Sequence, residues 1–411
     1  MTTPDDLFRQ AQNRVQRLGL REIPFTESPS DLSLTKVFTG RQRELGQVFN
    51  LFQSRERRRI LVYGNIGIGK SAFLLEVLSV LRRQRPQMLT TYISLPPGLD
   101  LATTALIALA LEMPDDEWAQ RQLYQMGIPP ERAVKERTST AGANMVFQGT
   151  MSEKDLAPVP QQYPSVSLNQ LLERARQHYP DGVLIAIDDL DKRNPAEVRQ
   201  MMHDAQGVLK GPAWFMLTGH PQGITRDLLT SERGLFDLQL PLTAMDQPTM
   251  QEMLVNYLNS ARDRQIAFGA PQAFHPFTPD AARQLCQASQ GQPRTFNRFG
   301  AAALNTAIEA GADRIDPPLL ARGLENAQRT LLDQAALNFI ETRIWQLLQE
   351  KGSLTEENID LADLRLLGLG GFNELVPFLE KFSTLDLARR LPQSDVAGFE
   401  PVQIPNLDDL T

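Results

Sequence analysis

Residues 64–71 read GNIGIGKS, and this short run constrains the fold of the 411-residue chain more than any other. Gly64 and Gly69 bracket four residues and are followed by Lys70 and Ser71. Glycines let successive backbone N–H groups turn toward one point with no side chain in the way, which makes a cradle for phosphate oxygens. The apolar run Ile60–Tyr63 before the loop reads as a strand, and Ser71–Arg83 after it reads as an amphipathic helix. The start of that helix adds partial positive charge aimed at the same anions. In this setting Lys70 reaches the β- and γ-phosphates and the Ser71 hydroxyl binds magnesium. Gly64, Asn65, Ile66, Gly67, Ile68, Gly69, Lys70, Ser71 and Ala72 are the expected nucleotide-binding set.

A second motif supplies the acid that such a site needs. Val183–Asp191 reads VLIAIDDLD, an apolar strand that ends in carboxylates. Asp188 is expected on the magnesium side, and Asp189 is placed to polarise an attacking water. Many sites of this kind carry Glu at the second position. Asp is shorter by one C–C bond, about 1.5 Å, and small errors in positioning water slow hydrolysis. The chain has no N-K-x-D base-recognition motif, which favours ATP over GTP.

Between and after these motifs, apolar runs alternate with helical patterns. Leu89–Leu95, Val183–Ile187, Trp214–Thr218 and Phe236–Leu240 read as further strands, and Leu101–Met113 as a buried helix. Such alternation implies a parallel sheet with helices on both faces. Residues 114–165 break the rhythm with Pro, Gln, Ser and Thr and read as a partly irregular insertion, strand-like only at Asn144–Gln148. Gln247–Ala335 reads as helices alone. The expected division is therefore an N-terminal helical extension (1–36), a core (37–245), a helical segment (246–335) and a small C-terminal unit (336–411).

These motifs resemble the AAA+ ATPases, in particular the branch shared by initiator-type and STAND-like proteins, over about residues 35–330. VFTGRQREL resembles the segment that opens these domains and lines the adenine, which points to Val37, Gly40 and Arg41. GNIGIGKS and LIAIDDLD correspond to the two Walker motifs. Gly291–Arg294, GQPR, resembles the second sensor, where Arg294 would reach the γ-phosphate. Thr218 ends the fourth strand, where the first sensor orients water. The resemblance implies an α/β P-loop NTPase fold, a three-layer parallel sheet followed by an all-α lid. It also implies ATP and Mg2+ as cofactors, and homo-oligomers (rings or filaments) in which a neighbour's arginine completes the site. Arg233 fits that role best and Arg226 second. LGLREIPFTESP is similar to the opening of transposition-accessory and secretion-linked members.

Residues 336–404 resemble a winged helix, a small α+β domain. Ala336–Glu350 carries Phe339, Ile344, Trp345 and Leu348 at helical spacing, two more helices follow at Leu361–Leu367 and Phe372–Phe382, and Leu385–Leu391 with Gly398–Ile404 make a hairpin. Such domains bind DNA in many initiator-type ATPases. Charge opposes a direct transfer of that role, because residues 331–411 hold 14 acidic and 6 basic side chains, a net of −8. Counterion release by Lys and Arg supplies most non-specific DNA affinity, and only Arg389 and Arg390 are suited to it here. The basic clusters Arg55/Arg57/Arg58/Arg59 and Arg82/Arg83/Arg85 read as a solvated helix end and a loop; in an assembly around a duplex, these or the insertion could touch phosphates. The whole chain carries a net −7 and one cysteine, Cys286, so no internal disulfide forms. Its start lacks the pattern of a secretory signal, and its longest apolar run is too short to span a bilayer. A cytoplasmic protein is expected. The expected function is an ATP-driven molecular switch that regulates a partner protein. The alternatives are a DNA-binding ATPase that assembles on duplex DNA in transposition or remodelling, and a nucleotide-bound scaffold with negligible turnover.

Overall fold

The computed structural model describes residues 3–26, 37–53, 58–96, 98–128, 163–190, 195–219, 235–385, 387–391 and 398–402. The chain divides into two compact units, one of Ser28–Asn65 and Gly69–Thr243, the other of Met1–Glu27, Ile66–Ile68 and Ala244–Thr411. Its helices in chain order begin with α1 (Pro4–Arg17) and α2 (Gln42–Leu51).

In the first unit five strands form one parallel sheet. They are β1 (Arg59–Tyr63), β2 (Met88–Ser94), β3 (Gly182–Asp188), β4 (Trp214–Gly219) and β5 (Leu238–Pro241), in the spatial order β2-β3-β4-β1-β5. All seven residues of β3 and all six of β4 are buried. Continuous apolar strands of this kind are what a sheet covered on both faces requires. The covering helices are α3 (Lys70–Gln84), α4 (Leu101–Leu111), α5 (Glu117–Gln125), α6 (Pro164–His178), α7 (Pro195–Asp204) and α8 (Gln206–Leu209). α4 buries ten of its eleven residues, as its apolar composition demands, and Asp100 caps it by accepting from the Thr103 N–H. β5 begins two residues later than the hydrophobic run suggests. The Asp237 carboxylate instead takes the Arg59 N–H at 2.8 Å and the Arg59 guanidinium at 3.0 Å, which pins the chain just before pairing starts.

The segment read as an irregular insertion contains a helix. α5 is capped by Asp116, whose carboxylate also accepts from Arg174 of α6 at 2.8 Å. Its helical signal is weak because only Ala119, Gln122 and Leu123 are buried. Asn144–Gln148 lies outside the described residues.

In the second unit, α9 (Gln247–Ser260), α10 (Pro279–Ala288), α11 (Pro293–Ala310) and α12 (Pro317–Ala335) pack together, and an isolated β-bridge pairs Phe277 with Ile315. The chain after α1 adheres to these helices. The Arg21 N–H donates to Ala261 O at 2.8 Å. The Phe25 ring stacks on Tyr257 at 5.6 Å and meets Phe277 and Phe296 edge-on.

The C-terminal part is a winged-helix-like α+β domain built from α13 (Phe339–Lys351), β6 (Leu354–Thr355), α14 (Leu361–Leu366), α15 (Phe372–Thr384), β7 (Ala388–Arg390) and β8 (Gly398–Pro401). The strands form an antiparallel sheet in the order β6-β8-β7. Ile344, Trp345, Leu348, Leu375, Leu379, Phe382 and Phe399 form its core. Phe339 does not join them. It is 73% exposed, with the Arg343 guanidinium 5.0 Å above its ring. β6 escaped the sequence reading because two residues carry no alternation. Among the described residues no helix is long and apolar enough to cross a membrane.

Candidate functional site

The parallel sheet brings the C-terminal ends of β1, β2, β3 and β4 to one edge, the usual position for ligands in open α/β sheets. At the end of β1 the Gly64 N–H donates to Gly219 O at 3.3 Å, which ties the glycine loop to β4. Gly67 and Gly69 hold φ of 78° and 94°, left-handed values that favour glycine. Gly69 is the N-cap of α3 and offers no side chain to its first turn. Helices α4 and α5, by contrast, are capped by aspartates. An uncapped first turn suits an anion. Lys70, 9% exposed, donates from Nζ to Gly64 O at 2.9 Å and Asn65 O at 3.2 Å, so its ammonium sits over its own loop. Ser71 and Ala72 follow on the first turn, both partly exposed.

Asp188 ends β3 and is 2% exposed. Its Oδ1 accepts from the Thr218 hydroxyl of β4 and from the Asp189 N–H at 3.0 Å, and its Oδ2 accepts from the Tyr92 hydroxyl of β2 at 2.8 Å. Asp189 turns off the strand at φ 64°, and its N–H also lies 3.1 Å from Thr218 Oγ1. Its Oδ2 accepts from Ser94 Oγ at 2.5 Å. Thr218 therefore meets both acids. Tyr92 and Ser94 were not among the residues the sequence singled out. Their signal was available as two polar residues at alternate positions near the end of a strand, but their partners lie 96 and 95 positions away.

Val37 is buried, and the Thr39 hydroxyl donates to its carbonyl at 2.8 Å. Gly40 and Arg41 follow at φ 76° and 64°. The Arg41 guanidinium is buried, donates to Thr243 O at 2.6 Å and pairs with Glu44 at 3.4 Å. Burial pushes it below the ordinary guanidinium range, and Glu44 opposes that shift. The side chain thus anchors the segment.

In the helical unit Gly291 holds φ 74°, and its carbonyl accepts from the Met245 N–H at 2.9 Å. A Cβ there would lie 2.3 Å from Met245 O, so the first residue of GQPR has to be glycine. Arg294 is the second residue of α11, and its N–H donates to Gly67 O at 3.2 Å. Arg226 and Arg233 lie outside the described residues.

The donor set fits a magnesium nucleotide. An uncapped helix start and a lysine suit phosphates, and a hydroxyl with a buried carboxylate suits a cation that keeps phosphate and water ligands. Among the described residues no group of three or more His, Cys, Asp or Glu is gathered for a site made of protein ligands alone.

Residues 37–207 match the family described as AAA ATPase domain. Among solved structures, the Orc1 protein of Aeropyrum pernix in complex with DNA aligns over 92% of both chains at 12% identity with a TM-score of 0.51, a likeness of fold. The RuvB Holliday junction branch migration motor of Thermotoga maritima aligns at 14% identity over 92% of this chain and 96% of that one, with a TM-score of 0.43. Cdc6p of Pyrobaculum aerophilum aligns at 13% identity over 94% of both, also at 0.43. No curated protein matches the chain in sequence.

Proposed function

Because residues 37–207 of this chain match the AAA ATPase domain family, we propose that the protein is an ATP-binding, slowly hydrolysing molecular switch that oligomerises and regulates a partner protein. The observation that carries this reading is the tether on Asp189. The carboxylate expected to activate water is held by Ser94 at 2.5 Å. An acid engaged in this way favours a long-lived ATP state over rapid turnover.

In this reading Lys70 exchanges the carbonyls of Gly64 and Asn65 for β- and γ-phosphate oxygens, while Gly64–Ala72 supply backbone N–H groups. Ser71 and Asp188 would hold the magnesium, which when bound would neutralise charge on the phosphates. Val37, Gly40 and Arg41 flank the adenine. When Asp189 is released from Ser94 it accepts the proton of a water that attacks the γ-phosphorus, and the bond to the ADP oxygen breaks. Thr218 orients that water, and Arg294, together with Arg233 from a neighbouring subunit, stabilises the spreading negative charge. Exchange between the ATP and ADP states would make and break the subunit interface and so signal to the partner.

The competing DNA-assembly reading has less support from the C-terminal unit. Arg389 Nε lies 2.9 Å from Glu400, and Lys381 pairs with Glu341 at 2.6 Å. Two of the basic side chains a phosphate backbone would need are thus already engaged.

The nucleotide assignment is tested by Lys70→Ala with a fluorescent ATP analogue. A hydrogen bond to a charged group is worth about 1.5–3 kcal/mol, so losing the ammonium should weaken binding by about 10–100-fold. Unchanged affinity would remove the loop from the site.

A further inference from the structure

The Asp188 carboxylate is gripped from both neighbouring strands. Thr218 of β4 and the Asp189 N–H bond Oδ1, while Tyr92 of β2 bonds Oδ2 at 2.8 Å. An ionised carboxylate offers about four acceptor positions. Three donors leave one for a cation or its water. Nothing in the proposed hydrolysis uses Tyr92.

The register explains why tyrosine is needed. In the parallel pairing of β2 and β3, Ser94 stands opposite Asp188 and Tyr92 opposite Ala186. Tyr92 therefore starts two residues short of the acid, about 6.6 Å along the strand. Residues two apart share a face of the sheet, so a long side chain from position 92 can run along that face to its end. Serine, threonine or asparagine would fall short. The Tyr92 ring is partly buried.

Resting on the ATP-binding reading, we propose that Tyr92 is a positioning residue that fixes the rotation of the Asp188 carboxylate and thereby sets how tightly the chain holds the magnesium accompanying ATP. Two opposed effects follow from removing its hydroxyl. The carboxylate keeps more of its charge, which favours the cation. It also loses one of the two strands that orient it, which disfavours the cation. Orientation dominates here, because the acid is almost fully buried and the bonds that remain, from Thr218 and the Asp189 N–H, both fall on Oδ1 and leave Oδ2 without a donor to fix it. Losing an outer-shell partner of this sort costs about 10–100-fold in metal affinity.

The experiment titrates magnesium chloride into the full chain with a fluorescent ATP analogue and compares wild type with Tyr92→Phe. The substitution removes one oxygen and no packing volume. The magnesium midpoint for enhanced nucleotide binding should rise by about 10–100-fold, while binding of the nucleotide without metal stays at the wild-type value. Tyr92→Gln keeps a donor but lacks the reach, and should show the same raised midpoint. An unchanged midpoint in Tyr92→Phe, an equal loss of affinity with and without magnesium, or full restoration by Gln would each overturn the role of Tyr92. A wild type that binds no nucleotide, or binds it with no dependence on magnesium, would instead bring down the ATP-binding reading itself.

Discussion

Asp189 adopts a backbone conformation that few non-glycine residues accept, at φ 64°. Aspartate tolerates the left-handed region better than most residues because its short polar side chain bonds locally. The turn carries its carboxylate to Ser94 and its N–H to Asp188 and Thr218. If the Ser94 bond restrains hydrolysis, breaking it should speed the reaction. A hydrogen bond to a charged group is worth roughly 1.5–3 kcal/mol, and each 1.4 kcal/mol is about tenfold in rate. Ser94→Ala should therefore raise phosphate release by about tenfold or more, with nucleotide affinity unchanged. Asp189→Ala should bind ATP normally and lose about 100-fold or more of its turnover, the usual contribution of a general base. A Ser94→Ala variant slower than wild type would mean that the serine aims the acid rather than restraining it. The loop and the two acids could be read from the sequence because each motif is contiguous. Ser94 and Tyr92 could not, since only the register of β2 on β3 brings them to acids more than ninety positions away.

At the scale of elements, the apolar runs of β3 and β4 translated directly into strands because each is buried on both faces. The short or polar ones did not. α5 buries only three side chains, and β6 is two residues long. Packing against the N-terminal segment was equally hidden. Gly300, in the middle of α11, faces the Phe25 ring, and a Cβ there would lie 2.7 Å from it. Alanine is intrinsically favoured over glycine in a helix by about 0.8–1 kcal/mol, so the glycine has a steric cause. Gly300→Ala should destabilise the protein by about 1–3 kcal/mol through overpacking. In a Phe25→Ala background the ring is gone, and the same substitution should become neutral or stabilising by up to about 1 kcal/mol. Urea unfolding of the four chains measures this sign change. Equal effects in both backgrounds would mean that Phe25 does not hold the segment on α11.

For the whole molecule the question is what ATP makes it assemble with, and charge bears on it directly. The net −8 of residues 331–411 slightly exceeds the net −7 of the entire chain. The winged-helix-like part thus carries the acidity while the rest is close to neutral. Duplex DNA repels such a surface unless arginines and lysines are free to meet phosphates. Arg389 is held by Glu400, with burial pushing its guanidinium below the ordinary range. On α15, the third helix, Lys381 is paired with Glu341, and Glu374 is bonded to the Gly370 N–H. Assembly driven by nucleotide alone is therefore expected. Particle imaging with ATP should show oligomers without DNA, and adding duplex DNA should change neither their number nor their form at physiological salt. Oligomers that form only on DNA, with an affinity falling steeply as salt rises, would reverse the choice. The acidic C-terminal part would then have to sit away from the duplex, leaving the phosphate contacts to another part of the chain.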